Sequence, residues 1–191
     1  MMRLAKFVIL ILAAVILCRI GYLGYRQILK ELYPMDYSEL VDRYAAENEL
    51  SPALVYAVIK CESSFRNDAV SSVGALGLMQ ITPATFEWVQ TKTGEELEVS
   101  ALNDPETNIR YGCRLLSMHL LEFGDERVAL AAYHAGRGQV NEWLNDPEVS
   151  SGDGRLDSIP FTDTEHYVKK VMKAKERYLD LYKEELSNGN G

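Results

Sequence analysis

Beyond residue 35 the apolar positions recur at helical spacing, and no run of alternating β-branched residues is bounded by hairpin turns. The body is therefore expected to be all-α. Ser51-Pro52, Thr82-Pro83 and Asp104-Pro105 each place a capping side chain before a proline, a pattern that opens helices. Helices are predicted near 36–48, 52–64, 83–92, 105–123, 125–134, 137–145 and 163–186. Ile109, Cys113, Leu116 and Leu120 share one face of the fourth, so Cys113 should face the core. Loops are expected at 65–81, 93–103 and 146–162, and the polar tail from Ser187 should fray.

The N-terminus differs in kind. Twelve uncharged, mostly apolar residues lie between Lys6 and Arg19, and Ile20–Tyr25 continue the apolar character. Leu4 to Tyr25 is long enough to span a bilayer if Arg19 snorkels to the interface. No A-x-A cleavage site follows, and Leu17 is too large for a good lipobox before Cys18. An uncleaved single-pass anchor is the favoured reading; a cleaved signal and a lipoprotein are the alternatives. Arg3 and Lys6 then keep the N-terminus inside and place the body outside the cytoplasm. The expected organisation is residues 1–30 as anchor and flank, and 31–191 as the functional domain.

Length and composition agree with that division. The 191 residues, 47% hydrophobic, suffice for one domain plus an appendage. The net charge of -8 conceals an asymmetry: residues 1–30 carry +5 and the rest -13. So acidic a body argues against nucleic acid as a partner. Cys61 and Cys113 could pair in an oxidising space, but three cysteines make no disulfide framework, and two buried thiols are the simpler expectation.

One carboxylate stands out. Val55, Val58, Ile59 and Glu62 follow i, i+3, i+4, i+7, so Glu62 points with an apolar face. Ser63, Ser64 and Asn67-Asp68 signal a helix end just beyond it. Burial and the negative end of the helix dipole both disfavour the anion, so its pKa should rise, as a general acid requires. An ordinary exposed glutamate at a frayed end has the same spacing. From Ala69 to Phe86 there is no further Asp or Glu. That stretch holds "GALGLMQ", in which glycines permit close backbone approach, Gln80 offers an amide and Met79 an adaptable apolar contact. Tyr133, His134 and Tyr167 carry polar groups on apolar bodies, suited to sugars. No metal-ligand spacing such as H-E-x-x-H occurs, and no cofactor is implied.

"ESSF", "SSVGALGLMQITP", "AYHAGRGQV" and "IPFTDTEHYV", in this order, resemble the motif set of the SLT-type lytic transglycosylases, lysozyme-like enzymes that cleave peptidoglycan. The resemblance runs from about Tyr37 to Tyr182. It implies Glu62 as catalytic acid and base, and Ser71 as the serine that hydrogen-bonds it. Gly77, Leu78, Met79 and Gln80 match the glycan-lining segment, and Tyr133, His134 and Tyr167 the aromatic motifs around it. The chain departs from the family at two places: the family usually has Asn where His134 stands, and Glu where the one-methylene-shorter Asp163 stands. The family reaction uses one carboxylate. The acid protonates the leaving oxygen of the MurNAc-β-1,4-GlcNAc bond, the substrate's N-acetyl group stabilises the cation, and the 6-hydroxyl closes a 1,6-anhydro ring. Peptidoglycan strands and a secretion or wall-remodelling assembly are the partners this implies, and the N-terminal helix adds a membrane. Two other readings stay open: a muramidase that uses water, with Asp68 or Glu87 as second carboxylate, and a non-catalytic wall-binding module.

Overall fold

In the computed structural model, which describes residues 2–188, helix α1 (Met2–Leu32) forms one unit and the chain from Met35 forms another. Within α1, Ile9–Leu32 is long and apolar enough to cross a membrane. The second unit contains α2 (Ser38–Glu47), α3 (Pro52–Glu62), α4 (Pro83–Thr93), α5 (Pro105–Phe123), α6 (Glu126–Ala135), α7 (Arg137–Leu144), α8 (Thr162–Leu181) and α9 (Lys183–Asn188). Among the described residues there is no strand, only isolated bridges joining Val70, Leu76 and Ile81.

Helix α3 is the centre of this unit. Ala53 through Ile59 are all buried, so it is apolar all round, as a helix enclosed by others must be. Its most extensive partner is α8. There Thr164, Tyr167, Val168, Val171, Ala174, Tyr178 and Leu181 are buried at spacings of three and four, while the opposite face is charged. Each large apolar side chain enclosed this way contributes about 1.5–3 kcal/mol. Helix α2 packs against α3 and α6 against α8, and α5 packs against both α2 and α6. Cys113 is fully buried in α5 and Cys61 half-buried at the end of α3, and both are free thiols. Leu120, expected beside Cys113, is only half-buried.

The proline starts are where the sequence puts them. Thr82 accepts from Thr85 N at 3.2 Å and Asp104 from Thr107 N at 2.9 Å. Ser51 departs from the expectation: its side chain makes no cap, and only its carbonyl takes the first helical N–H groups, from Leu54 and Val55. The last predicted helix is broken at Tyr182, whose φ of -124° and ψ of 34° end α8 before α9 begins. Residues 187 and 188 of the tail close α9, and the remainder lies outside the described residues. A 3₁₀ turn at Val99–Asn103 occupies part of the expected 93–103 loop, because Leu102 is wholly buried there.

Candidate active site

Glu62 is the last residue of α3, half-buried, and Ser63 closes the helix with its N–H on the Ile59 carbonyl. The fully buried Val55, Val58 and Ile59 precede it on the same helix. Burial, the largest influence, pushes the Glu62 carboxyl from 4.5 up to about 7. Tyr167 and Lys170, both on α8, pull it back towards the anion. Lys170 also donates from Nζ to the Cys61 carbonyl at 3.2 Å, a cation at the negative end of α3.

The Tyr167 ring is buried and stacks on His134, with centroids 4.5 Å apart and planes 28° apart. Its hydroxyl is near enough to Glu62 to lower the carboxyl, yet it has no partner at full hydrogen-bond geometry. Burial first, and the Glu62 charge second, hold Tyr167 well above its ordinary pKa, so it stays a neutral donor. His134 is partly exposed, pairs its Nδ1 with Thr164 Oγ1 at 3.1 Å, and is held below the usual imidazole pKa by the partial desolvation of its ring, with Asp163 opposing.

The loop after Glu62 is strained and heavily tied. Ser64, Phe65 and Gln80 have φ of 52°, 65° and 50°, a conformation that costs non-glycine residues on the order of 1–3 kcal/mol each. Several hydrogen bonds hold it. Ser63 Oγ donates to the Leu78 carbonyl at 2.8 Å. Gln80 Nε2 donates to the Ala69 and Gly77 carbonyls at 3.0 and 2.8 Å. The fully buried Asn108 of α5 accepts from Met79 N at 2.8 Å and donates to the Leu76 and Leu102 carbonyls at 2.9 and 3.0 Å. Tyr133 Oη donates to the Met79 carbonyl at 2.8 Å. Gly77 must be glycine: its φ is 74°, and a Cβ there would stand 2.2 Å from Asn108 Nδ2.

These positions refine the sequence expectations. Leu78 and Met79 are fully buried, so their side chains belong to the core. Met79 is turned inward because Gly112 leaves it room; a Cβ on Gly112 would lie 2.3 Å from its sulfur. The Gln80 amide is spent on the loop's own carbonyls. Ser71 does not bond Glu62 in this structure: its Oγ accepts from Ala75 N at 3.0 Å and closes a turn. Ser63, Asn108 and Lys170 were missed. Ser63 read as a helix stop, and nothing local marks Asn108 or Lys170, whose partners lie 29 and 109 residues away.

An all-α domain with one part-buried acid at a helix end, facing a strained loop, is lysozyme-like in architecture. Residues 39–153, more than half of the chain, match the Transglycosylase SLT domain model, and the chain belongs to that family. It is 36% identical over 157 residues to the soluble lytic murein transglycosylase of Escherichia coli K12, covering 75% of this chain and 23% of that protein. It is 26% identical over 175 residues to the membrane-bound lytic murein transglycosylase C of Haemophilus ducreyi, covering 79% and 47%. The crystal structure of the 70 kDa soluble lytic transglycosylase of E. coli superposes with a TM-score of 0.71 at 35% identity, over 80% of this chain and 25% of that one. An inactive mutant of the lytic transglycosylase Slt from Pseudomonas aeruginosa gives 0.69 at 36%, over 78% and 24%. The chain thus spans about a quarter of the length of the soluble relatives.

Proposed function

We propose that this chain is a membrane-anchored lytic transglycosylase that cleaves the MurNAc-β-1,4-GlcNAc bond of peptidoglycan and leaves 1,6-anhydro ends. The observation that carries this reading is the environment of Glu62. It is a carboxylic acid raised to about 7, and the groups acting on its titration are Tyr167 and Lys170, not a second carboxylate. A retaining glycosidase would set a second carboxyl about 5–5.5 Å away, and its charge would raise Glu62 further. Asp68 and Glu87, the candidates for a hydrolytic partner, are both exposed. A single acid suffices when the nucleophile belongs to the sugar.

In this mechanism the protonated form of Glu62, which the raised pKa keeps available near pH 7, gives its proton to the glycosidic oxygen. The leaving GlcNAc departs, and the substrate's acetamido group shares the charge on the anomeric carbon. The Glu62 carboxylate then takes the proton of the MurNAc 6-hydroxyl as that oxygen closes the ring. Tyr167 and Lys170 stabilise the transient anion, while the backbone of 76–80 lines the strand. Digestion of purified peptidoglycan followed by mass spectrometry tests this. Fragments lighter by one water than the reducing sugars support it; reducing ends would make the chain a muramidase, and intact glycan a binding module.

The relative named as membrane-bound and the apolar α1 support anchoring, with Arg3 and Lys6 inside and the domain beyond the cytoplasmic face. There it could serve a secretion or wall-remodelling assembly. Full-length protein is expected in the membrane fraction, and a chain shortened to begin at Tyr33 is expected to be soluble and to cleave purified peptidoglycan. Recovery of the full chain in the cytosol, or as a shorter processed form, would refute the anchor.

A further inference from the structure

Helix α1 carries a charge that the chain itself does not answer. Lys6 and Arg26 stand about 30 Å apart along it, the thickness of a bilayer's hydrocarbon core. Arg19 lies between them, about 10 Å short of the level of Arg26. With the span set at Ile9–Leu32 it lies deeper still, about 15 Å from one end and about 20 Å from the other. Arg19 is exposed on the helix surface, and no described residue pairs with it. The first acidic residue of the chain is Glu31, about 18 Å further along the axis. Escape to the outer interface works against helix geometry. Each Cα–Cβ bond leans towards the helix N-terminus, which the anchored reading places inside, so the Arg19 side chain sets out towards the bilayer centre. Arg26 shows the lean: its Nη1 reaches back to Tyr22 Oη at 3.5 Å. A guanidinium held in hydrocarbon calls for an anion beside it. The helix has the surface to seat one. Ile11, Ala14, Val15, Cys18, Arg19 and Tyr22 follow i, i+3, i+4, i+7, i+8, i+11 and line a groove of about 560 Å³. Ala14 and Cys18 are small, which lets a second helix approach closely, as packing within a membrane requires. A second copy of α1 does not fit the charge: inserted in the same direction, it brings no acid into the span and sets another Arg19 at the same depth.

We propose that this side of α1 docks a membrane-spanning helix of another protein, one that carries an Asp or Glu in the outer half of the bilayer to pair with the Arg19 guanidinium. The inference rests on the anchored reading above and gives the chemistry of the partner such an anchor meets. The test reconstitutes the full chain, with a donor fluorophore at its N-terminus, in vesicles of neutral phosphatidylcholine. The probe is a leucine-rich spanning peptide that bears an acceptor and a single Asp at the depth of Arg19. The same peptide with Leu at that place is the control. Energy transfer is expected to show about 10-fold tighter association with the Asp peptide than with the Leu peptide. Arg19→Leu should remove that preference, Arg19→Lys should keep part of it, and Arg26→Leu, which alters a cation nearer the interface, should keep all of it. Equal binding of the two peptides, a preference that survives Arg19→Leu, or energy transfer only between copies of the chain overturns the proposal. Loss of the preference on addition of phosphatidylglycerol also overturns it, by assigning the guanidinium to lipid headgroups. Flotation separates the docking from the anchor. A chain that does not float with the vesicles refutes both, whereas one that floats without preferring the acid leaves the anchor standing and refutes the docking alone.

Discussion

Glu62→Gln is expected to abolish bond cleavage while leaving the fold intact. Removing a general acid costs about 10²–10⁴-fold in rate, and here the same group must also serve as base. The wild-type rate should fall above about pH 7, where the acid loses its proton. The stability consequence has a definite sign. The folded pKa of about 7 lies above the ordinary 4.5, so the fold favours the protonated form. That advantage is fully present below about 4.5 and is lost as pH rises through 7. Ionised Glu62 then costs the fold about 3 kcal/mol, a cost the amide avoids. Glu62→Gln should therefore melt higher than wild type at pH 8, and the gap should close towards pH 4.5. Thermal melts across that range, with peptidoglycan digestion, measure both effects. Residual cleavage within a few-fold of wild type would remove Glu62 from the role assigned to it.

Asn108→Ala should produce the largest loss of stability from a residue that touches no ligand. The variant strands Met79 N and the Leu76 and Leu102 carbonyls together. A buried group left without its partner costs about 1–3 kcal/mol, so the combined loss should reach about 3–5 kcal/mol. The same amide fixes the backbone at 76–80, next to the strained Gln80, so cleavage should weaken even at temperatures where the variant stays folded. Denaturant midpoints give the first quantity and initial rates at low temperature the second. A loss below about 1 kcal/mol would mean that the loop is held by Ser63, Gln80 and Tyr133 without it.

Much of this architecture was legible in the residue order. Proline after Thr82 and Asp104 marks helix starts because the missing N–H and preset φ are local properties. The spacing from Val55 to Glu62 places the acid with the apolar face, since helical geometry depends only on the count of residues. The hydropathy and charge break after Lys30 likewise needs no fold to be seen.

Other features belong to the tertiary structure. Leu78 and Met79 sit in a motif that reads as ligand-lining, yet both turn inward, because Gly112 on a distant helix leaves a space that Met79 fills. Ser71 closes its own turn and does not bond Glu62, while Ser63, next to the acid, ties the loop through the Leu78 carbonyl. Asn108 and Lys170 carry no local signature. A polar side chain acquires its role from what the folded chain sets opposite it, and desolvation, which raises Glu62, is a property of the surrounding packing rather than of any neighbour in the sequence.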